Sequence, residues 1–229
     1  MRIGGFQSLS LLDFPGKVAA IVFTQGCLFR CSYCHNPELI SQTASGIYDE
    51  NELLELLLRR RAVLDGVVIT GGEPTIQKDL LEYMRRIKDM GLLVKLDTNG
   101  WRPDVVRHIL DRKLVDYFAM DIKAPWKKYE QVINIPTAAI ARQCETTMQL
   151  IQESGIPHEF RTTIFPNVHN EDDIIKIASY LQPHTTYALQ TMRYEKTLMK
   201  NLDPTNSIDT SSLAMRINSL YPSLNLITR

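Results

Sequence analysis

Three of the chain's four cysteines fall within eight positions, Cys27, Cys31 and Cys34, in the run QGCLFRCSYCHNP. Buried core thiols have no reason to recur so closely, so the cluster reads as ligation or redox chemistry. Three thiolates on one short loop can wrap a compact inorganic centre. Zinc accepts a Cys3His set, and His35 follows Cys34 directly. However, adjacent residues seldom both reach one tetrahedral ion, and no later C-x-x-C or H-x-H closes such a site. A [4Fe–4S] cluster normally takes four cysteines. Here the fourth, Cys144, stands in a helical pattern (ARQCETTMQL) far along the chain and reads as a half-buried helix residue. Three ligands would leave one iron open, and an open coordination position is what a catalytic centre needs.

The other residues atypical of plain structure form four short groups: Gly71-Gly72-Glu73-Pro74, Asp97-Thr98-Asn99-Gly100, Asp121-Ile122-Lys123-Ala124-Pro125 and Phe165-Pro166-Asn167. Each follows a short apolar run. Val18–Thr24, Val67–Thr70, Leu92–Leu96, Leu114–Met120, Glu159–Ile164 and Tyr187–Gln190 read as strands. Helical periodicity lies between them, over Asp49–Leu64, Asp79–Met90, a helix opened by Pro103, Ile140–Ser154, Glu171–Leu181 and Ser211–Leu220. Asp49 is a candidate N-cap with Glu52 as the partner of a capping box. Strands separated by crossover helices predict a parallel sheet of right-handed βαβ units. Six strands suit a partial (β/α)6 barrel better than a closed eight-stranded one. In such folds the carboxyl-terminal strand ends share one face, so five loops distant in sequence are expected to line one pocket.

The chain has 229 residues, 26 Lys plus Arg and 26 Asp plus Glu. A net charge of zero gives no electrostatic reason to expect a nucleic-acid or membrane partner. No apolar run is long enough for a membrane helix, and MRIGGFQSLSLLDFPGK lacks the apolar core of a signal peptide. Four cysteines are too few for a disulfide scaffold, so a reducing cytoplasm is the expected setting. No linker or repeat interrupts the pattern, and residues 1–229 read as a single domain.

At the cysteine loop the sequence resembles the radical S-adenosylmethionine (SAM) superfamily, whose signature C-x-x-x-C-x-aromatic-C is met by Cys27, Cys31, Tyr33 and Cys34. Chain length, strand order and the GGE group agree. Within the superfamily, GFQSLSLLDFPGK and CSYCHNPEL resemble glycyl-radical-enzyme activating enzymes, those of anaerobic ribonucleoside-triphosphate reductase and of pyruvate formate-lyase among them. One departure is Leu28, where many relatives carry Asn; the position is not a ligand.

The resemblance implies a [4Fe–4S] cluster on the three cysteines and SAM chelated to the open iron. Reductive cleavage of SAM would give methionine and a 5′-deoxyadenosyl radical, the cofactor supplying this chemistry and the protein orientation. Gly71 and Gly72 would let the backbone approach SAM's amino group, with Glu73 as an anionic acceptor; as residues alone, GG and EP are also turn-like. Lys123 would meet SAM's carboxylate, with Asp121 and Asp97 nearby and a monovalent cation among those acids. Thr98, Ile122, Tyr33, His35, Asn36 and Gln190 complete the expected SAM pocket, although His35 is more often structural in such a loop. Arg161 would hold an anion or serve as a structural arginine. Trp126, Met192 and the remaining histidines read as core or surface. The implied substrate is a glycine of a partner glycyl radical enzyme, with flavodoxin or ferredoxin as electron donor. Two other functions stand beside this one: a radical SAM enzyme acting on a small molecule, as in formation of a carboxylated deazaguanine, and a zinc-binding module.

Overall fold

A computed structural model of the chain describes residues 1–136, 138–199 and 207–229. Eight strands follow one another in the sheet in chain order: β1 (Ile3–Ser10), β2 (Ala19–Thr24), β3 (Gly66–Gly71), β4 (Leu93–Thr98), β5 (Tyr117–Asp121), β6 (His158–Ile164), β7 (Thr186–Thr191) and β8 (Asn225–Thr228). The helices between them are α1 (Glu50–Arg60), α2 (Leu80–Asp89), α3 (Pro103–Asp111), α4 (Tyr129–Ile133), α5 (Ala138–Glu153), α6 (Glu171–Ala178) and α7 (Thr210–Leu220). This is the mostly parallel β/α order of a partial barrel. By contacts the chain divides into two compact units. The first comprises Met1–Leu28, Glu38–Thr98 and Arg102–Ala119; the second comprises Phe29–Pro37, Asn99–Trp101 and Met120–Arg229.

In the first unit, β2 and β3 are nearly all buried (AAIVFT and GVVITG), as expected of parallel strands covered on both faces. β2 pairs with β3 in parallel, Ala19 with Gly66 through Thr24 with Gly71, and β3 pairs with β4 in the same sense. The apolar stripes of α1 (Leu53, Leu54, Leu57), α2 (Leu80, Tyr83, Met84, Ile87) and α3 (Val106, Ile109) are buried. Phe14, Ala19, Ile21 and Val68 form a further cluster with Phe23, Leu93 and Tyr117 packed on it.

Two strands exceed the six that the pattern predicts. β1 pairs antiparallel to β2 with register irregularities at Ile3/Gly5 and Gln7/Ser10. Its Gly4-Gly5 pair and its half-exposed residues mask the strand signal, since glycine weakens a strand and marks bulges. A Cβ on Gly4 would stand 2.5 Å from Gln25 Oε1, so that side chain would have to shift for any larger residue. β8 is four residues long and half-exposed, too short to show a period.

Several element ends also move. α1 stops at Arg60 rather than Leu64, because Leu64 turns inward and Asp65 exchanges hydrogen bonds with the Val18 backbone. Asp49 caps this helix by accepting from the Asn51 and Glu52 N–H groups, without the reciprocal Glu52 bond of a capping box. α6 stops at Ala178 rather than Leu181, and Tyr180 beyond it stacks on Trp126, centroids 5.2 Å apart.

In the second unit, β6, β7 and β8 pair in parallel. α6 opens on a complete capping box. The Asn170 side chain accepts from Asp173 N–H, and the Asp173 carboxylate accepts from Asn170 N–H, each at 2.9 Å. Asn170 thus fixes where the loop after β6 enters the helix. Substitution Asn170→Ala is expected to lower stability by about 1 kcal/mol, read as a lower urea midpoint with an unchanged slope.

Candidate functional site

The first unit presents the start of the cysteine loop and the glycine pair. Beyond β2, Gly26 N–H donates to Leu39 O at 2.7 Å and Cys27 N–H to Ile40 O at 3.1 Å, while Gln42 Nε2 donates to Cys27 O. Gln25 Nε2 holds the same return segment at Glu38 O and Ser41 O. The Gly71-Gly72-Glu73 turn lies against this loop: Gly72 N–H donates to Thr24 O and Glu73 N–H to Gly26 O. Gly71 has φ +108°, and a Cβ on Gly72 would fall 2.2 Å from Gly26 O. Two glycines are therefore needed so that one backbone can lie on another beside Cys27.

Glu73 is fully buried, and its Oε1 accepts from Thr75 N–H, from Thr75 Oγ1 and, at 2.8 Å, from Thr98 Oγ1. This carboxylate therefore fastens the turn and ties it to the end of β4, a duty that its expected part as an acceptor did not include. Asp97 at that strand end pairs with Lys95, a lysine only 2% exposed that carries no motif. Its ammonium also lies 5.9 Å from the Tyr117 ring centroid.

The second unit presents Cys31, Tyr33, Cys34 and the DIK group. Cys34 N–H donates to Cys31 O in a single turn. Asn134, left-handed at φ 53°, closes the short α4 and donates from Nδ2 to Arg30 O (2.8 Å) and Ser32 Oγ (3.1 Å), while Arg30 N–H donates to Ile133 O. The stretch before and after Cys31 is thus held by the end of α4. Cys31 is buried, and burial first, with Cys34 and Asp121 adding to it against Lys123, pushes its thiol up to about 11. Burial likewise pushes the Tyr33 phenol far above its ordinary value.

Asp121 at the end of β5 lies between two cations, Arg161 Nε on Oδ1 at 2.7 Å and Lys123 Nζ on Oδ2 at 2.9 Å. Burial works to raise its pKa, but Arg161 and Lys123 together hold the carboxyl well below the usual range. Burial likewise works against the Lys123 ammonium, but Asp121 first, with Tyr33 and Cys31 adding to it, holds its pKa well above the ordinary value. Lys123 Nζ stands 5.8 Å from the Tyr33 ring centroid, and Tyr33 packs on Phe165 with centroids 5.4 Å apart. Arg161 is thus a structural partner of Asp121.

His35 is committed elsewhere: its Nε2 lies 3.2 Å from Arg193 O and 3.3 Å from Arg193 N. Among the described residues no three His, Cys, Asp or Glu side chains converge as the ligands of one metal ion. The all-sulfur donor set fits an iron–sulfur cluster. So does the Tyr33 hydroxyl, which is buried without a hydrogen-bond partner among the described residues. Gln190 Oε1 is 3.5 Å from Thr163 Oγ1, and Asn36 is half-buried. Cys144 is fully rather than half buried, and its Sγ donates to Asn99 O at 3.4 Å. Thr147, one turn on, donates to Gly100 O at 2.6 Å.

Comparison with known proteins extends these observations. The sequence pattern described as "Radical SAM superfamily" matches residues 21–181. A Methanocaldococcus jannaschii protein named as a glycyl-radical enzyme activating enzyme is 34% identical over 191 residues, 82% of this chain and 78% of that protein. The pyruvate formate-lyase-activating enzyme of Clostridium pasteurianum is 30% identical over 187 residues, covering 79% and 76%. Among solved structures, Streptococcus suis SuiB bound to S-adenosylmethionine superposes with a TM-score of 0.68 at 14% identity, over 90% of this chain and 48% of SuiB, about half of that protein. QueE from Escherichia coli gives 0.56 at 16% identity, over 100% and 93%. These last two likenesses are of fold.

The close backbone contact at Gly72 yields a direct test. Gly72→Ala must push Gly26 O and Leu39 O aside, both main-chain atoms, and is expected to cost about 1–3 kcal/mol. Urea unfolding would show it as a lowered midpoint.

Proposed function

The chain belongs to the radical SAM superfamily, and on that premise we propose that it activates a glycyl radical enzyme, anaerobic ribonucleoside-triphosphate reductase in the first instance. As a member it is an enzyme that works with a [4Fe–4S] cluster and SAM. The observation that carries the proposal is the loop with Cys27, Cys31 and Cys34, in a chain whose relatives named for glycyl-radical activation align over about four fifths of its length.

In this reading the three cysteines hold the cluster. When bound, it supplies one electron to SAM, whose cleavage gives methionine and the 5′-deoxyadenosyl group that takes a hydrogen atom from a glycine Cα. The chain's own residues orient and enclose. Lys123, fixed by Asp121, offers its ammonium to SAM's carboxylate. Gly71 and Gly72 admit SAM's amino group to main-chain acceptors, and Glu73 holds that turn in shape through Thr75 and Thr98. Tyr33 sets its ring beside the Lys123 ammonium. Thr98, Ile122, His35, Asn36 and Gln190 are proposed as lesser wall residues. A monovalent cation at Asp97 or Asp121 would compete with Lys95 for the one and with Lys123 and Arg161 for the other. Flavodoxin or ferredoxin is the proposed electron donor. Among the described residues no helix is long and apolar enough to cross a membrane.

Anaerobically reconstituted protein, reduced and mixed with SAM and the reductase, is expected to produce a glycyl radical detected by electron paramagnetic resonance. SAM cleavage without any radical on the reductase, but with turnover of a small molecule, would overturn the choice of substrate. Cys31→Ser is expected to abolish iron binding and Cys144→Ser to leave it intact; equal losses in both variants would overturn the three-ligand assignment.

A further inference from the structure

His169 belongs to none of the groups singled out by sequence, yet it joins two of the loops that follow strands of the second unit. It is 4% exposed and lies in the turn between β6 and α6, where its own N–H donates to Phe165 O at 2.8 Å. Its Nδ1 accepts from Phe165 N–H at 3.0 Å, so that nitrogen carries no proton. The neutral ring then bears its proton on Nε2, which donates to Lys123 O at 2.9 Å. Burial, the largest influence on the ring, lowers its pKa and favours this neutral form.

The Lys123 carbonyl is one of four main-chain groups pinned at this place. Lys123 N–H donates to the buried Tyr129 hydroxyl at 3.3 Å. Ile122 N–H donates to Arg161 O at 2.8 Å, and Ile122 O accepts from Thr162 Oγ1 at 2.9 Å. Thr162 Oγ1 in turn accepts from Tyr187 OH. Strand pairing alone accounts for the Arg161 bond; the others come from side chains placed for the purpose. A lysine has a long, flexible stem, and a fixed main chain beneath it reduces the freedom lost when its ammonium is placed. The His169 ring also holds Phe165, which packs on Tyr33, the ring that faces the same ammonium.

We infer that His169, bridging Phe165 N–H and Lys123 O with Tyr129 as its counterpart on Lys123 N–H, is a positioning residue that sets the Lys123 ammonium for the carboxylate of SAM. The inference rests on the reading of Lys123 given above. It touches neither cysteine nor substrate, and acts through the main chain of residue 123.

The two bonds of the ring can be separated by substitution. Asn places an acceptor near the Nδ1 position and keeps the Phe165 bond, whereas Gln places a donor near Nε2 and keeps the Lys123 bond. The experiment measures the SAM dissociation constant of the reconstituted, iron-loaded protein by anaerobic equilibrium dialysis. It compares wild type with His169→Asn, His169→Gln, Tyr129→Phe and Lys123→Met, and assays iron content and urea midpoint in parallel. Loss of one net hydrogen bond to Lys123 is expected to weaken binding up to about tenfold. His169→Asn and Tyr129→Phe should show that loss at unchanged iron content, while His169→Gln recovers most of the affinity. A purely structural histidine would instead lower the urea midpoint in both His169 variants and leave SAM affinity untouched. That result, with Lys123→Met still weakened, overturns the inference alone. Wild-type affinity in Lys123→Met overturns the reading of Lys123 and this inference with it. Should His169→Asn fail to fold, Tyr129→Phe decides: wild-type affinity in that variant sinks the proposal.

Discussion

Burying an ammonium is costly unless a carboxylate and further hydrogen bonds accompany it, and the second unit is arranged around one such case. Lys123 and Arg161 share Asp121, one on each carboxylate oxygen. Arg161 reaches back towards Glu159 at 3.9 Å, and Arg229 closes on Glu159 at 2.9 Å. The charges alternate in sign from Arg229 through Glu159, Arg161 and Asp121 to Lys123, so each buried ion has an opposite neighbour. Removing any interior member would leave an uncompensated charge, which is far costlier than the worth of the pair itself. The set also gives Lys123 a defined place, because an ammonium held by Asp121 is not free to follow solvent. Here the electrostatic constraint and the proposed chemistry ask for the same geometry.

In the second unit the backbone near that charge is fastened by side chains outside the sequence motifs. Asn134 grips the chain on both sides of Cys31. Tyr129 and His169 take the two main-chain groups of Lys123. In the first unit Glu73 serves its own turn and Thr98, and Gln25, Gln42 and the main chain of Leu39 and Ile40 hold the approach to Cys27. Loops that hold a cofactor need this kind of support, since short segments without regular structure must satisfy their N–H and C=O groups individually.

What the sequence made legible follows from how local each signal is. The cysteine spacing, the glycine pair and the strand–loop rhythm are carried within a few residues, and so are the apolar stripes of α1, α2 and α3. β1 was hidden because its glycines and exposed positions resemble a loop, and β8 because four residues show no period. His169, Tyr129 and Lys95 gave no sign. A histidine in PNVHNEDD looks like surface, a tyrosine after two lysines looks like packing, and Lys95 sits in an ordinary apolar run. Their meaning lies in partners far along the chain, Lys123 for His169 across 46 positions, and no local pattern encodes such a pair. Asn134 is a partial exception, for Asn is a recognised left-handed helix stop, and the residue could have been marked as the end of a short helix.

Cys31 and Cys144 show why residue type alone could not assign the ligands. Both are buried, and both would be classed as inert thiols on exposure. Cys144 faces a main-chain carbonyl, Asn99 O, and with Thr147 holding Gly100 O it belongs to the packing of α5 on the Asn99–Gly100 turn. A Cβ on Gly100 would stand 2.2 Å from Met120 Cε, so that turn is tight on its other side as well. Cys31 instead shares its surroundings with the Lys123 ammonium, the one nearby influence that lowers a thiol's pKa by charge. Burial keeps the Cys31 proton in place until something stronger than Lys123 competes for the sulfur. A metal centre does so, because coordination deprotonates the thiol outright. Cys144 instead gives its hydrogen to a main-chain carbonyl. The same side chain is thus a packing wedge in α5 and, in the proposed reading, a ligand in the cysteine loop, where Lys123 stands near it.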